Sequence, residues 1–332
     1  MQTDTKNHFN LIRDFRHAGY FETEHLKKIT SGIISAIKEG KLIAISGIVG
    51  SGKTTVLQRI QDKLKTEEDF IVSKSYSIEK HRVTLSTLVT ALFLDLSNKK
   101  IGDINVKIPS NHEKSTRKLI SIIQDRGKNT VLFVDEAHDL HGQTLIGLKR
   151  LMESINNVKP KSKKLKLSVV LAGHPKLKND LVRPNLEEIG SRSEIFTLDG
   201  ITSSKREYIE WLLTTCSQKD TGIDTILTAD ALDFLAERLI TPLQIEHYLT
   251  LALEEAYLVG IKPVSTEIVE AVIAKDINDP EPTLTRQGYN VKNLANVLNV
   301  KPIVIRSFLK GKLPQAVSQE IQAEMLAIGI HV

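Results

Sequence analysis

The stretch GIVGSGKTT, Gly47 to Thr55, decides how the rest of this chain is read. A glycine, four residues and then Gly52-Lys53-Thr54 stand between the apolar run LIAIS and the helix-patterned TVLQRIQDKL. That is the strand, loop and helix context a phosphate-binding loop requires. Glycines at 47, 50 and 52 let backbone amides turn inward around a β-phosphate, and the helix that follows aims the positive end of its dipole at the same oxygens. Lys53 is placed to reach the β- and γ-phosphates and the Thr54 hydroxyl to ligate Mg²⁺, with Ser51 and Thr55 as the loop's remaining polar residues. The expected cofactors are therefore ATP and Mg²⁺.

Working outward, TVLFVDEAH is a buried-strand pattern that ends in Asp135-Glu136. Open α/β sheets bind ligands at the carboxyl ends of their strands, so two carboxylates arrive where the phosphates are expected. Asp135 is expected to hold Mg²⁺ through water, and Glu136 to orient and polarise the attacking water. The next strand, LSVVLAGHP, ends in Gly173-His174-Pro175, which places His174 between the Glu136 carboxylate and the γ-phosphate. Arg192, in EEIGSRSEIFTL before a further apolar strand, is a candidate arginine finger reaching a neighbouring subunit's site, and Arg183 is its rival.

The chain has 332 residues, 41% of them hydrophobic and 26% charged, the composition of a globular protein with more than one domain. A formal charge of +5 favours polyanionic partners, and a single cysteine, Cys216, excludes an internal disulfide and any multi-cysteine metal site. The N-terminal MQTDTKNHFNLIRDF lacks a signal-peptide core, and no run approaches the ~18 apolar residues of a membrane span, so the expected location is the cytoplasm.

Apolar runs alternate with helical patterns from Lys41 to Ala172, the signature of a parallel sheet with crossover helices. From Ile201 to about Lys275 apolar residues recur at three and four, as in REYIEWLL and ADALDFLAERL, which predicts an all-helical unit. Asp276 to Gly288, with two prolines and three acidic residues, reads as a linker. The expected divisions are 1–200 for an α/β nucleotide-binding domain with an N-terminal helical extension, 201–275 for a helical lid, 276–288 for the linker and 289–332 for a terminal module.

The ordered set of P-loop, LFVDEAH, LAGHPKL, candidate finger and helical lid resembles the AAA+ ATPases. From about Gly19 to Lys275 it resembles the ExeA-like group, which includes transposition ATPases akin to TniB, TnsC and the phage Mu B protein. The resemblance implies an AAA+ P-loop NTPase fold with a parallel sheet and a helical lid. It also implies ATP-driven assembly of rings or filaments on double-stranded DNA that recruit a transposase, and an adenine pocket around Tyr20 to His25. One departure stands out: Leu243 and Gln244, in ITPLQIEHY, occupy the place where ExeA-like proteins often carry a lid arginine, which implies slow or assembly-dependent turnover.

In NLANVLNVKPIVIRSFLKGK, Asn293 to Lys312, the pattern is helix, turn, helix. Leu294, Ala295 and Leu298 make one apolar face, Asn299 suits a left-handed turn, and Val300, Ile305 and Phe308 pack a second helix that starts at Pro302. Lys301, Arg306, Lys310 and Lys312 surround that helix with positive charge, as in helix-turn-helix DNA-binding modules; the alternative is a hairpin that docks a partner protein. Lys74, Lys80 and Arg82 around Tyr76, and Lys161, Lys163, Lys164 and Lys166, are further candidates for phosphate contact.

The leading functional expectation is an ATP-dependent regulator of DNA transposition, acting as a homo-oligomer. The alternatives are a secretion-associated ATPase of the ExeA type, which expects a membrane helix and a wall-binding extension, a replication initiator or loader, and a nucleotide-switched adaptor that hardly hydrolyses ATP.

Overall fold

The computed structural model describes residues 1–75, 83–97, 112–158, 164–184, 186–273, 277 and 279–331. Helix α1 (Thr3–His8) and a short 3₁₀ turn (Phe15–His17) precede α2 (Glu24–Glu39). Strand β1 (Leu42–Ser46) leads through the glycine loop into α3 (Lys53–Thr66), then β2 (Phe70–Lys74), α4 (Leu85–Ser97), α5 (His112–Arg126) and β3 (Asn129–Val134). After β3 come α6 (Gly142–Asn156), β4 (Leu167–Gly173), α7 (Pro175–Leu181), α8 (Glu187–Gly190) and β5 (Ser193–Thr197). The remainder is helical: α9 (Lys205–Cys216), α10 (Ala229–Arg238), α11 (Pro242–Val259), α12 (Thr266–Val272), α13 (Pro280–Arg286), α14 (Val291–Val297), α15 (Pro302–Leu309) and α16 (Gln315–Ala327).

The chain divides into two compact units. One, residues 28–47 and 53–198, holds a five-stranded parallel sheet in the order β2-β3-β4-β1-β5. Every residue of β1 and β4 is buried, which is what near-continuous Val, Ile and Leu demand of central strands covered on both faces. Leu132, Val169 and Leu171 pack with Leu88, Phe93, Leu119 and Leu148 of α4, α5 and α6. Their alternating neighbours Ile43, Ile45 and Val170 are buried on the opposite face, as the two-residue period of a strand requires. There α2 lies close: Ser168 Oγ donates to Ile37 O at 2.6 Å, and a Cβ on Gly32 would stand 2.8 Å from the Phe196 ring. The parallel sheet and crossover helices expected from the sequence are present.

The other unit, residues 1–27, 48–52 and 199–332, is helical. Phe9, Leu11 and Phe15 from the N-terminal extension sit in one core with Leu212, Leu235, Leu249 and Leu253 of α9, α10 and α11, so the extension packs with the helices of this unit. A separate core of Leu284, Leu294, Ile305, Phe308, Ile321 and Met325 closes the terminal helices.

The segment read as a linker is ordered in its described part. Pro280 stands at the first turn of α13, where a proline lacks no needed donor, so the residues read as breakers start a helix instead. Leu284 is buried, and Arg286 donates back to the Pro282 carbonyl at 3.2 Å and to that of Ile277. Among the described residues no helix is long and apolar enough to cross a membrane.

Candidate nucleotide-binding site

The loop between β1 and α3 has the backbone its glycines permit. Gly50 has φ +82° and Gly52 φ +90°, conformations that strain any residue with a Cβ, and the space beside Gly52 is open. Lys53 is buried with its Nζ donating to Gly47 O at 2.8 Å, while Gly47 N donates to Gly173 O at 3.1 Å. Burial lowers the Lys53 pKa, opposed by the carboxylates of Glu136 and Asp135. Ser51 Oγ is buried and has no hydrogen-bond partner among the described residues. A buried ammonium, an unsatisfied hydroxyl and a glycine backbone at positive φ fit a polyphosphate. Thr55 follows, exposed in the first turn of α3.

The acids stand where the strand delivers them. Thr54 Oγ1 donates to Asp135 Oδ2 at 3.0 Å, and Glu136 N donates to Asp135 Oδ1 at 2.9 Å. The hydroxyl and carboxylate expected to share Mg²⁺ are thus side by side, which is the donor set a hard cation with retained waters prefers. Glu136 takes φ +52°, a left-handed conformation uncommon for a residue with a Cβ, at the start of the turn Ala137–Asp139.

His174 caps α7 without a side-chain cap bond, and its Nε2 lies 3.7 Å from Glu136 Oε2. Burial, then the neighbouring His138 and Lys53, push its pKa down to about 4 against the opposing pull of Glu136 and Asp139, so the ring is neutral at pH 7. His138 was not singled out from the sequence, yet its ring stacks on that of His174 with centroids 3.9 Å apart, and its Nδ1 lies 3.4 Å from Glu136 Oε2. Gly173 makes room for this: a Cβ there would meet His138 N at 3.0 Å. The signal available in the sequence was the pair of strands ending VDEAH and LAGH. Register pairs Val134 with Leu171, so adjoining strands carry both histidines to one edge.

Other candidates lie elsewhere. Arg192 is 61% exposed and pairs with Glu153 Oε1 at 2.6 Å, and Arg183 pairs with Asp180 at 3.1 Å, so both guanidinium groups have partners within the chain. Lys74, at the end of edge strand β2, donates to Gln58 Oε1 at 3.1 Å. Tyr76, Lys80, Arg82, Lys161 and Lys163 lie outside the described residues.

In the helical unit, Leu243 Cβ stands 2.7 Å from the position a Cβ on Gly50 would take, and Val49 N donates to Arg286 O at 3.1 Å. Gln244 Oε1 accepts from Ile240 N and Thr241 N, completing the box that caps α11, so its carbonyl is committed to the helix end. Phe21, near the expected adenine pocket, packs against Tyr208 and Trp211. Cys216 is buried with its thiol pKa raised to about 11 by burial, which suits a packing role.

Lys301, Arg306, Lys310 and Lys312 are exposed on α15 and at its ends, and Asn299 takes φ +52° in the preceding turn. Among the described residues none of the four is held in an ion pair.

A phosphate loop after interior strand β1 of a parallel sheet, with a threonine–aspartate pair and a further glutamate at the strand ends, is the arrangement of the AAA+ P-loop nucleotide-binding fold. Residues 37–181 match the family model described as AAA domain. Over 160 residues, 46% of this chain and 26% of the relative, the sequence is 28% identical to general secretion pathway protein A of Aeromonas hydrophila. Over 77 residues, 23% of this chain and 27% of the relative, it is 34% identical to the energy-coupling factor transporter ATP-binding protein EcfA2 of Clostridium tetani. The chain spans about a quarter of the length of these curated relatives. In fold it is similar to the Aeropyrum pernix ORC2 protein in its ADPNP–ADP complexes, with a TM-score of 0.56 at 12% identity over 96% of this chain and 91% of that one.

Proposed function

We propose that this ATPase is a nucleotide-driven regulator that assembles on duplex DNA as a homo-oligomer and recruits or activates a transposase. The observation that carries the DNA half is the exposed quartet Lys301, Arg306, Lys310 and Lys312 on a short helix behind a left-handed turn. Cations left solvated on a compact helical core are suited to exchanging counterions for phosphates, which gives affinity without base reading. The transposase half rests on the motif resemblance set out above.

At the nucleotide site, Gly47, Gly50, Ser51, Gly52, Lys53 and Thr55 hold the phosphates, and Thr54 with Asp135 holds Mg²⁺. When bound, the metal neutralises charge on the transferring phosphoryl group. Glu136 orients and polarises the attacking water, and His174, neutral and beside it, donates or accepts a single hydrogen bond there. Arg192 is the first candidate for a finger in a neighbouring copy, which requires release from Glu153; Arg183 is the second.

The 28% identity to a secretion-pathway protein over 160 residues supports a second reading, an ATPase serving envelope assembly. DNA dependence separates the two. Electron microscopy of the protein with duplex DNA and a slowly hydrolysed ATP analogue is expected to show rings or filaments, lost in Lys53→Ala and persistent in Glu136→Gln. A protein that stays monomeric and ignores DNA with nucleotide and Mg²⁺ present sinks the DNA reading and leaves the envelope one.

A further inference from the structure

The helical unit leaves two apolar features in solvent, a tip and a groove. α11 runs out in Tyr257-Leu258-Val259-Gly260-Ile261, where Leu258, Val259 and Ile261 are 75%, 51% and 40% exposed. Leu258 is the most exposed large apolar side chain among the described residues. Isolated apolar residues on a surface need no explanation, but three within four positions at a helix end make a patch. The core of the unit does not use them. Leu253 and Ala256, just before, fill that core, and Gly260 at φ +71° stops the helix where the patch lies.

The groove, about 560 Å³, lies among α13, α14 and α15. Its floor is Leu284, Tyr289 and Leu294, all buried, and Leu309 of α15 forms a wall. That volume falls within the range of about 300–1,000 Å³ typical of ligand sites and has room for several aliphatic side chains. The rim carries two cations, Lys292 and Arg306, against one acid, Glu281. On α11 the charge is of the opposite sign. Glu255 stands three and four positions before Leu258 and Val259, hence on the same helix face, and the carboxyl end of the helix dipole adds partial negative charge. The cation that follows, Lys262, is turned onto His8 O at 2.5 Å and over the Phe9 ring. An occupant of the groove needs an apolar body with an acidic flank, and the chain carries such a segment itself.

We propose that the α11 tip of one copy docks in the α13–α15 groove of a second copy, with Leu258 and Val259 inside and Glu255 against Lys292. Tip and groove are different surfaces, so the contact is head-to-tail: a dimer keeps one free tip and one free groove, and growth gives a ring or a filament. This deepens the homo-oligomer reading above by naming the surfaces, and it requires neither nucleotide nor DNA. Lys301, Lys310 and Lys312 do not line the groove and stay available to phosphates.

Sedimentation velocity on the full chain, without nucleotide or DNA, is expected to show self-association that rises with concentration. Leu258→Glu should weaken it at least about tenfold, as loss of a central apolar anchor does, whereas Leu326→Glu, the same change at an exposed position of α16, should leave it unaltered. Lys292→Glu should weaken it several-fold, and Glu255→Lys in the same chain should restore it. Thr285→Trp, on the exposed rim, should fill the groove and block association. A mixture of Leu258→Glu and Thr285→Trp chains retains one working tip and one working groove, and should form dimers that grow no further. Circular dichroism checks that each variant is folded. A monomeric unaltered protein, association untouched by Leu258→Glu, or a mixture that stays monomeric overturns the contact. Association blocked by Thr285→Trp alone seats a different segment in the groove and overturns it too. The DNA reading is tested apart from this: self-association that Leu258→Glu abolishes, in a protein that ignores duplex DNA, keeps the contact and removes that reading. Rings on DNA from a protein that is monomeric without DNA do the reverse.

Discussion

The sheet edge and the α14–α15 hairpin are both charge-rich, and they are built in opposite ways. At the sheet edge each charge is positioned before any ligand arrives. Asp135 is gripped by Thr54 and by the backbone of Glu136, Lys53 is held on Gly47, and Glu136 is set by a left-handed backbone. On α15 the four cations stand in solvent, outside any ion pair among the described residues. Preorganised charge lowers the cost of reorganisation at a reacting centre, whereas attraction to a polyanion needs only density of charge and tolerates mobile side chains. The two constructions therefore respond differently to mutation.

The largest effect is expected at the preorganised end. Glu136→Gln should lower kcat by about 10²–10⁴-fold, the usual worth of a positioned general base, with nucleotide affinity nearly unchanged in single-turnover and binding assays. A comparable loss of affinity would mean that Glu136 acts as a ligand holder rather than on water. Lys53→Ala should weaken ATP binding by ~100-fold, since charge-assisted hydrogen bonds are worth about 1.5–3 kcal/mol, measured with a fluorescent ATP analogue.

At the solvated end, replacing Arg306 and Lys310 together by Glu should weaken DNA binding by about tenfold or more and make the salt dependence of log K shallower by roughly one per cation removed, read by fluorescence anisotropy. Nucleotide affinity should stay as it was. An unchanged salt slope would turn the hairpin into a protein-docking element. The smallest effect is structural: Thr241→Ala removes the box that caps α11 and should cost about 1 kcal/mol in denaturant unfolding, because Gln244 loses its reciprocal partner. If it also alters ATP affinity, the Thr241 hydroxyl beside Gly50 has a role at the phosphate loop.

Much of the fold was legible because its signals are local. LIAIS, NTVLFV and LSVVLAG are too uniformly apolar for one-sided strands, and they became the three central strands. Gly52 and Asn299 marked positive-φ positions that the chain adopts. In the segment 276–288, Pro280 and Pro282 are breakers in a helix interior but acceptable in its first turn, and the helix there, with Leu284 buried, is legible only in the structure. Nothing in ITPLQIEHY announces that the Gln244 carbonyl closes the α11 cap.

The sequence by itself determined the phosphate loop, the acidic pair after β3 and the alternation of strand and helix, since glycine spacing and hydrophobic period act within a few residues of chain. The tertiary structure alone decided that His138 stacks on His174 beside Glu136 and that Arg192 rests on Glu153. It also decided that the N-terminal extension shares a core with α9, α10 and α11. Those contacts join residues distant along the chain, and strand register and side-chain packing, which no local pattern encodes, bring them together.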